Sequence, residues 1–250
     1  MLTIFYQSKL SLPLLVRIFF HFFIIQYSVE ETSQQTGVNE KTVRKLFQDG
    51  REIISEFIED EWRNNALGWI NKPGTHYPNV EIYESMFGHA NGEQRWVLGI
   101  YDNGMKEVRI KVVTDRSAQT LMPMIWKMLE DGNGNLHPQL RVCTDGWRAY
   151  SDQNLGFAAN GVVHIVFNHS EQHWGWSNRR FCTSQIEGVW SHLKELGGFK
   201  KGIAGNMSEE LTQIRINWAV FLRTYKHENE RLAAFITAFC SYQLKKKYNR

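Results

Sequence analysis

The stretch from Thr183 to Lys194 carries an acidic and a basic residue at a spacing that could support chemistry on phosphate esters. Glu187 and Lys194 are seven residues apart, and steps of four and seven residues return to one face of a helix. A helix there could hold a carboxylate for a divalent metal ion and an ammonium for a phosphate. The alternative is structural, because Ser184 and Glu187 also fit a capping box.

Apolar residues beside Glu187 and Lys194 recur at steps of three and four residues and predict an amphipathic helix: Ile186, Val189, Trp190, Leu193 and Leu196. A second acidic residue, Asp145, follows a short apolar strand predicted at 140–144 and precedes a glycine. An aspartate in this position is often a simple N-cap. At the end of a buried strand it could equally well help to hold a metal ion.

The elements between these residues predict an α/β fold. Three β-prone segments separated by glycine-rich turns indicate an antiparallel meander at 80–85, 95–102 and 107–113. A helix at 117–130, a strand at 140–144, a helix that opens at Gly146, a strand at 162–167, and helices at 208–225 and 230–246 follow. This order predicts a ribonuclease-H-like mixed sheet flanked by helices.

The N-terminal part reads as all-α. The apolar run 10–25 contains Pro13, Arg17 and His21, which favours a buried helix over a membrane span or a signal peptide. Helices at 29–36 and 40–49, joined at Gly37, would complete a helix-turn-helix unit, and a further helix is predicted at 51–69. The Asn71-Lys-Pro-Gly breaker then gives a DNA-binding region at 1–72 and a second domain at 76–250.

One face of the predicted helix 40–49 has the composition of a recognition helix. Asn39 is its predicted N-cap, and four apolar residues would pack inward: Val38, Val43, Leu46 and Phe47. Four residues would face outward toward DNA: Lys41, Thr42, Arg44 and Lys45. The alternative is an ordinary helical hairpin with a solvated charged face.

Composition excludes few function classes. The 250 residues carry 29 basic and 26 acidic side chains, so the net charge of +3 permits nucleic-acid binding without requiring it. Cys143, Cys182 and Cys240 are scattered, which argues against a disulfide framework or a zinc ribbon.

Five blocks, in order, resemble the Merlin-type DDE transposases, eukaryotic relatives of bacterial insertion-sequence transposases. The blocks are V-E-I-Y-E-S-M-F-G at 80–88, R-W-V-L-G-I-Y at 95–101, T-D-G-W-R-A-Y at 144–150, F-N-H-S-E at 167–171 and T-S-Q-I-E-G-V-W-S-H-L-K at 183–194. The resemblance covers about 80–202 and implies DNA strand cleavage and strand transfer, with Mg²⁺ or Mn²⁺ as cofactor. It also implies double-stranded DNA (terminal repeats and target) as partner, and a homodimer without membrane attachment.

The resemblance also implies roles for individual residues. Asp145 and Glu187 match the second and third metal-binding acids, and Lys194 matches a lysine that contacts donor-end DNA. The family's first aspartate is replaced by Tyr83. A phenol is uncharged at neutral pH and is a poor ligand for a hard cation, so we expect weak metal binding and impaired catalysis.

Neighbouring acids could in principle replace the missing aspartate. Glu81 shares the strand face of Tyr83 but lies roughly 6.6 Å away along the strand, which is too far without remodelling. Glu84 is expected to point to the opposite face, and Asp102 ends the next strand.

The segment 168–180 mixes histidine, tryptophan and arginine. His169 and His173 lie four residues apart but lack the further ligands of a zinc site. Trp174, Trp176, Arg179 and Arg180 suit contacts with an unpaired DNA end, or packing of the tryptophans in the core. The run Lys245–Lys247 reads as a solvated helix end.

The function expected from the sequence is therefore that of a DDE-type transposase with an incomplete acidic triad, located in the nucleus if the host is eukaryotic and otherwise in the cytoplasm. The alternative is a decayed or repurposed DNA-binding protein without catalysis. A ribonuclease-H-like nuclease unrelated to transposition would explain neither the helix-turn-helix nor the ordered blocks.

Overall fold

A computed structural model describes residues 9–70, 76–90, 92–167, 183–199 and 207–248. These residues form two compact units, 1–60 with 217–250 and 61–216. The predicted division at 72–76 is therefore not the division by packing, because the residues after 217 pack in the unit that contains the N-terminal helices. The functional division into a DNA-binding region and a second domain stays a prediction.

The first unit is helical. Helix α1 (Leu12–Phe20) continues into a π-helical turn (His21–Ile25), and α2 (Val29–Thr36) and α3 (Glu40–Asn64) follow. The prediction of a buried N-terminal helix is confirmed, since Leu15, Ile18 and Phe19 are buried. None of the helices in the described ranges is long and apolar enough to cross a membrane.

Helix α3 runs through Gly50. The sequence predicted a helix at 40–49 that continues at 51–69, and the structure has one helix that ends at Asn64, five residues before the predicted end. A glycine costs a helix interior only about 1 kcal/mol, so tertiary packing can override its tendency to break the helix. An added Cβ at Gly50 would lie 3.1 Å from Phe22, and the missing side chain thus makes room for a core ring.

The second unit contains the predicted mixed sheet, and its fold class is confirmed. Its strands are β1 (Asn79–Ala90), β2 (Glu93–Asp102), β3 (Glu107–Val113), β4 (Arg141–Asp145) and β5 (Val163–Phe167). They lie in the order β3-β2-β1-β4-β5; β2 is antiparallel to both β1 and β3, whereas β1, β4 and β5 pair in parallel. This is the meander-plus-parallel arrangement of a ribonuclease-H-like sheet.

Helices cover both faces of this sheet. Helix α4 (Ala118–Leu129) contributes Leu121 and Ile125 to a core shared with Ile82, Leu98 and Ile100. A short helix, α5 (Asp152–Leu155), precedes β5, and α6 (Ser184–Leu196) lies on the opposite face, where Trp190 meets Gly99. The predicted helix directly after Gly146 is instead a 3₁₀ turn (Arg148–Tyr150).

The last two helices are α7 (Glu209–Thr224) and α8 (Glu228–Tyr248), close to their predicted bounds. In the second unit, Gln213 of α7 accepts from Val112 N at 2.8 Å and donates to Ile110 O at 2.9 Å. An amide side chain thus pairs with backbone groups of edge strand β3, which would otherwise be open to pairing with another chain.

Candidate active site

Strands β1 and β4 bring Tyr83 and Asp145 to neighbouring positions. The two strands pair in parallel up to Ile82 and Thr144, and Tyr83 and Asp145 are the next residue of each. Asp145 is half-buried, and its Oδ1 accepts a hydrogen bond from Trp147 N at 3.0 Å. The aspartate therefore closes a local turn and also lies beside the position of the missing family aspartate.

Glu81 fixes the helix that carries Glu187. Its Oε2 accepts from Gln185 N at 2.9 Å and Ile186 N at 3.1 Å, and its Oε1 accepts from Asn103 Nδ2 at 3.0 Å. The first N–H groups of a helix lack partners within the helix and favour a negative charge. A carboxylate of β1 therefore caps α6, and Glu81, only 3% exposed, is already engaged and does not replace the missing aspartate.

Gly99 allows α6 to approach the sheet closely. It pairs with Tyr83 across the β1–β2 ladder. A Cβ at this position would overlap the Trp190 ring and lie 3.1 Å from Ile186. The absence of a side chain opposite Tyr83 is therefore what lets the helix pack at this depth.

The structure corrects the predicted cap of α6. The N-cap residue is Thr183 rather than Ser184, and Glu187 does not complete a capping box. The buried Thr183 hydroxyl instead donates to Glu187 Oε1 at 2.9 Å. This bond orients the carboxylate that the family pattern assigns to metal binding.

The surroundings of the Tyr83 hydroxyl are acidic. Burial raises the pKa of this hydroxyl, and the negative charges of Asp145 and then Glu187 raise it further. Glu84, on the other face of β1, raises the pKa in the same way, and Arg116 lowers it. The phenol is protonated at neutral pH and can donate one hydrogen bond.

This donor set has two carboxylates and lacks a third. Within the described ranges, no group of three or more His, Cys, Asp or Glu side chains could hold a metal ion. Asp102 is also engaged, since its carboxylate accepts from Gly68 N and Gly104 N, both at 2.7 Å. Two carboxylates still suit one Mg²⁺, which proteins often bind through one or two carboxylates and substrate phosphates.

Lys194 lies two helical turns beyond Glu187. Its Nζ is 5.2 Å from the centre of the Phe87 ring, and burial lowers its pKa. Phe87 is itself buried and packs edge-on against Trp190, with ring centroids 5.8 Å apart. An aromatic face therefore supports the lysine, a contact that could not be read from the sequence because a β-bulge between Met86 and Gly88 interrupts the strand alternation.

The opposite face of β1 holds a charged pair that was not predicted from the sequence. Glu84 points away from Tyr83's face, as predicted, and its fully buried side chain lies 3.5 Å from Arg116 Nη2. Burial raises the pKa of Glu84, and the Arg116 charge partly offsets this. The Arg116 guanidinium lies 4.4 Å from the Trp96 ring and 4.1 Å from the Trp147 ring. A glutamate that is buried in a strand needs a basic partner. The signal that the sequence offers is a glutamate within a β-prone segment.

The predicted DNA-contact residues lie on an exposed face of α3 in the first unit. Lys41, Thr42, Arg44 and Lys45 are exposed. The predicted inward-facing residues are buried: Val38, Val43, Leu46 and Phe47. Asn39 Oδ1 accepts from Lys41 N at 2.9 Å, as a capping side chain does, and Gly37 has φ +68°.

Several predicted residues lie outside the part of the chain that the structure describes. They are His169, His173, Trp174, Trp176, Arg179 and Arg180. The same holds for the side chains of Lys246 and Lys247, at the end of the basic run.

Solved integrase structures are similar to this chain at low sequence identity and low TM-score. The catalytic core domain of BIV integrase is 10% identical, with a TM-score of 0.40 over 58% of this chain and 81% of that chain. The HTLV-2 integrase catalytic core domain in complex with magnesium is 12% identical, with a TM-score of 0.40 over 62% of this chain and 86% of that chain. The simian T-cell lymphotropic virus intasome in complex with PP2A regulatory subunit B56 gamma is 12% identical, with a TM-score of 0.39 over 80% of this chain and 66% of that chain. This likeness concerns the fold alone.

Comparison with families is more specific. No curated protein matches the chain. The model of the ISXO2-like transposase domain, a DDE transposase family, matches residues 75–211. This match spans more than half of the 250 residues and includes Tyr83, Asp145, Glu187 and Lys194. The chain therefore belongs to the ISXO2-like transposase domain family.

Proposed function

We propose that this protein acts on double-stranded DNA as a Merlin-type DDE transposase whose strand cleavage and strand transfer are impaired. The observation that carries the proposal is the position of Asp145 beside Tyr83 on neighbouring strands, with the helix that carries Glu187 anchored to β1 by Glu81. The two acids match the second and third family positions, and the phenol stands at the first. Asp145 is the last residue of β4, and open α/β folds bind their ligands at the carboxyl ends of their strands.

Each side chain has a defined role in this proposal. Asp145 and Glu187 would hold Mg²⁺ or Mn²⁺, which when bound lowers the pKa of a water and neutralises charge on a phosphate. Thr183 keeps the Glu187 carboxylate oriented through its 2.9 Å hydrogen bond. Lys194 would bind a phosphate of the donor end, and its half-buried position on Phe87 restricts where the ammonium can reach.

The impairment follows from the chemistry of position 83. A neutral phenol contributes no charge to a hard cation, and its ring fills volume that an aspartate would leave open. Glu81 and Asp102 do not compensate, because their carboxylates accept backbone hydrogen bonds that hold α6 and the β2–β3 turn. Metal binding would rest on two acids.

The test compares the natural protein with Tyr83→Asp. We expect the variant to bind Mn²⁺ about tenfold more tightly by calorimetry, equivalent to about 1.4 kcal/mol. We also expect faster cleavage of plasmid DNA carrying the genomic flanks of the coding region. Tyr83→Phe is the matched control: it removes the hydroxyl, adds no charge and should gain nothing. Equal and robust activity of the natural protein and Tyr83→Asp would refute the impairment.

A second function, DNA binding without catalysis, is favoured by the same tyrosine together with the exposed basic face of α3. In this version the N-terminal helices act as a helix-turn-helix on terminal-repeat DNA. Retarded migration of the flanking DNA without metal-dependent cleavage, in the natural protein and in Tyr83→Asp alike, would select this alternative. A homodimer and a nuclear location in a eukaryotic host belong to the proposal in both versions.

A further inference from the structure

A cavity of about 750 Å³ opens beside Trp147, two residues after Asp145 in the sequence. It lies between the residues that precede α4 and those that follow β4, at the carboxyl ends of β3 and β4. Its walls include Arg116, Ser117, Trp147, Arg148, Gln153 and Asn154. The volume is in the range of about 300–1,000 Å³ that is usual for sites of small organic ligands.

One wall of this cavity is held rigidly in place. The Arg116 guanidinium is packed between the Trp96 and Trp147 rings and faces the fully buried Glu84 carboxylate at 3.5 Å. The Trp147 indole N–H donates to Arg116 O at 3.1 Å. The orientation of the Trp147 ring is therefore fixed by a hydrogen bond and by stacking on a cation.

The chemistry of the wall suits a nucleotide. Trp147 is 42% exposed, although indole rings bury large apolar areas when a core is available. A fixed, exposed aromatic ring is a stacking surface for an unpaired base. The exposed Arg148 beside it can bind a phosphate, and the amide of Gln153 can form hydrogen bonds with a base edge. The Asn154 Nδ2 already donates to Arg148 O and Ala149 O, so Asn154 offers only its Oδ1 as an acceptor.

We propose that this cavity binds one unpaired nucleotide of the DNA strand that crosses Asp145. The base would stack on Trp147, and Arg148 would bind a neighbouring phosphate. Asp145 accepts the Trp147 backbone N–H, so a nucleotide held on the ring lies immediately next to the candidate active site. This inference rests on the proposed DNA-directed function.

The test uses two 30-base-pair duplexes without terminal-repeat sequence, one fully paired and one with a central unpaired 2-aminopurine nucleotide. The natural protein should bind the second duplex about tenfold more tightly, since its base is already unstacked and one base–aromatic stack is worth about that factor. Trp147→Ala should lose this preference and keep its affinity for the paired duplex. Trp147→Phe, which keeps a ring, should retain most of the preference.

Arg148→Gln provides an independent readout if Trp147→Ala does not fold, because Arg148 is exposed. It should weaken binding of the unpaired duplex more than binding of the paired one. Equal affinity of the natural protein for both duplexes would refute nucleotide binding in this cavity and leave the proposed function intact. Absence of binding to either duplex overturns both. If free deoxyadenosine monophosphate binds and the two duplexes do not differ, the cavity takes a free nucleotide instead.

Discussion

At the scale of residues, the site depends on how buried charges are compensated. Glu84 and Arg116 form a pair on one face of β1, while burial and the charges of Asp145 and Glu187 raise the pKa of Tyr83 on the other. Burial raises the pKa of Glu84, because water no longer stabilises the carboxylate and Arg116 offsets this only in part. The charged pair beside the candidate active site is therefore held at a cost in stability that depends on pH.

The first prediction concerns this pH dependence. Because folded Glu84 keeps its proton to a higher pH than the unfolded chain, its contribution to stability is present below its ordinary pKa of 4.5 and is lost as the pH rises through the raised value. Glu84→Gln should therefore have a flatter free energy of unfolding above pH 4.5 than the natural protein, as measured by urea denaturation.

Glu93→Gln is the control for this measurement, because Glu93 is exposed on β2. Its pH curve should run parallel to that of the natural protein. A curve for Glu84→Gln that also runs parallel would show that the buried pair is not what makes stability depend on pH.

At the scale of elements, the position of α6 relative to the sheet determines where Glu187 lies. Two contacts fix this helix: the Glu81 carboxylate at its first N–H groups, and the close approach of Trp190 to Gly99. Glu81 and Gly99, which make these contacts, lie on strands, and neither is one of the acids expected to bind a metal ion. Their removal should therefore affect the candidate active site without touching its carboxylates.

Removal of the Glu81 cap should destabilise the protein. Glu81→Ala would leave the N–H groups of Gln185 and Ile186 and the Asn103 amide without their acceptor, at a cost of about 2 kcal/mol. Glu81→Gln, which keeps one amide oxygen, should be less destabilised. The measurement is the free energy of unfolding in urea, and equal stability of Glu81→Ala and the natural protein would contradict the capping role.

Alanine substitutions at two glycines, Gly99 and Gly188, should change the stability of the protein in opposite directions. Gly99→Ala should destabilise the protein by roughly 1–3 kcal/mol, because its Cβ would overlap the Trp190 ring. Gly188→Ala, within α6, meets no atom within 4 Å and should stabilise it by roughly 0.5–1 kcal/mol. Thermal unfolding measures both, and a destabilised Gly188→Ala would indicate that α6 packs differently.

At the scale of the whole molecule, charge is modest and concentrated locally. The net charge of +3 gives little general attraction to DNA, so under the proposed function affinity would come from clusters such as Lys41, Arg44 and Lys45. Replacing these three by Gln should weaken DNA binding and lower the slope of log affinity against log salt by about one for each phosphate that is no longer neutralised. Fluorescence anisotropy at several salt concentrations measures this slope.

A matched triple variant carries the same reduction in charge on other exposed sites: Lys106, Lys127 and Lys226 to Gln. It should leave the slope close to that of the natural protein. An equal reduction in both variants would mean that only total charge matters and that the α3 face has no special role.

Local patterns in the sequence were sufficient to predict the strands and the principal helices of the second unit, whereas the roles of Asp145 and Glu187 stay predictions. Periodicity reports which face of an element is buried, and turn residues report where the element ends. The departure at Tyr83 could also be read directly from the block that contains it. The end of α3 was predicted five residues too late, at 69 instead of Asn64.

The amino-acid sequence by itself therefore determined the fold class, the family pattern and the incomplete acidic set. Only the tertiary structure decided that Glu81 caps α6, that Gly99 admits Trp190 and that Arg116 lies between two tryptophans beside a cavity. The physical reason is the separation of the partners along the chain, since Glu81 and Gln185 are 104 positions apart. Strand register and helix packing bring such distant residues together, and no local sequence pattern encodes them.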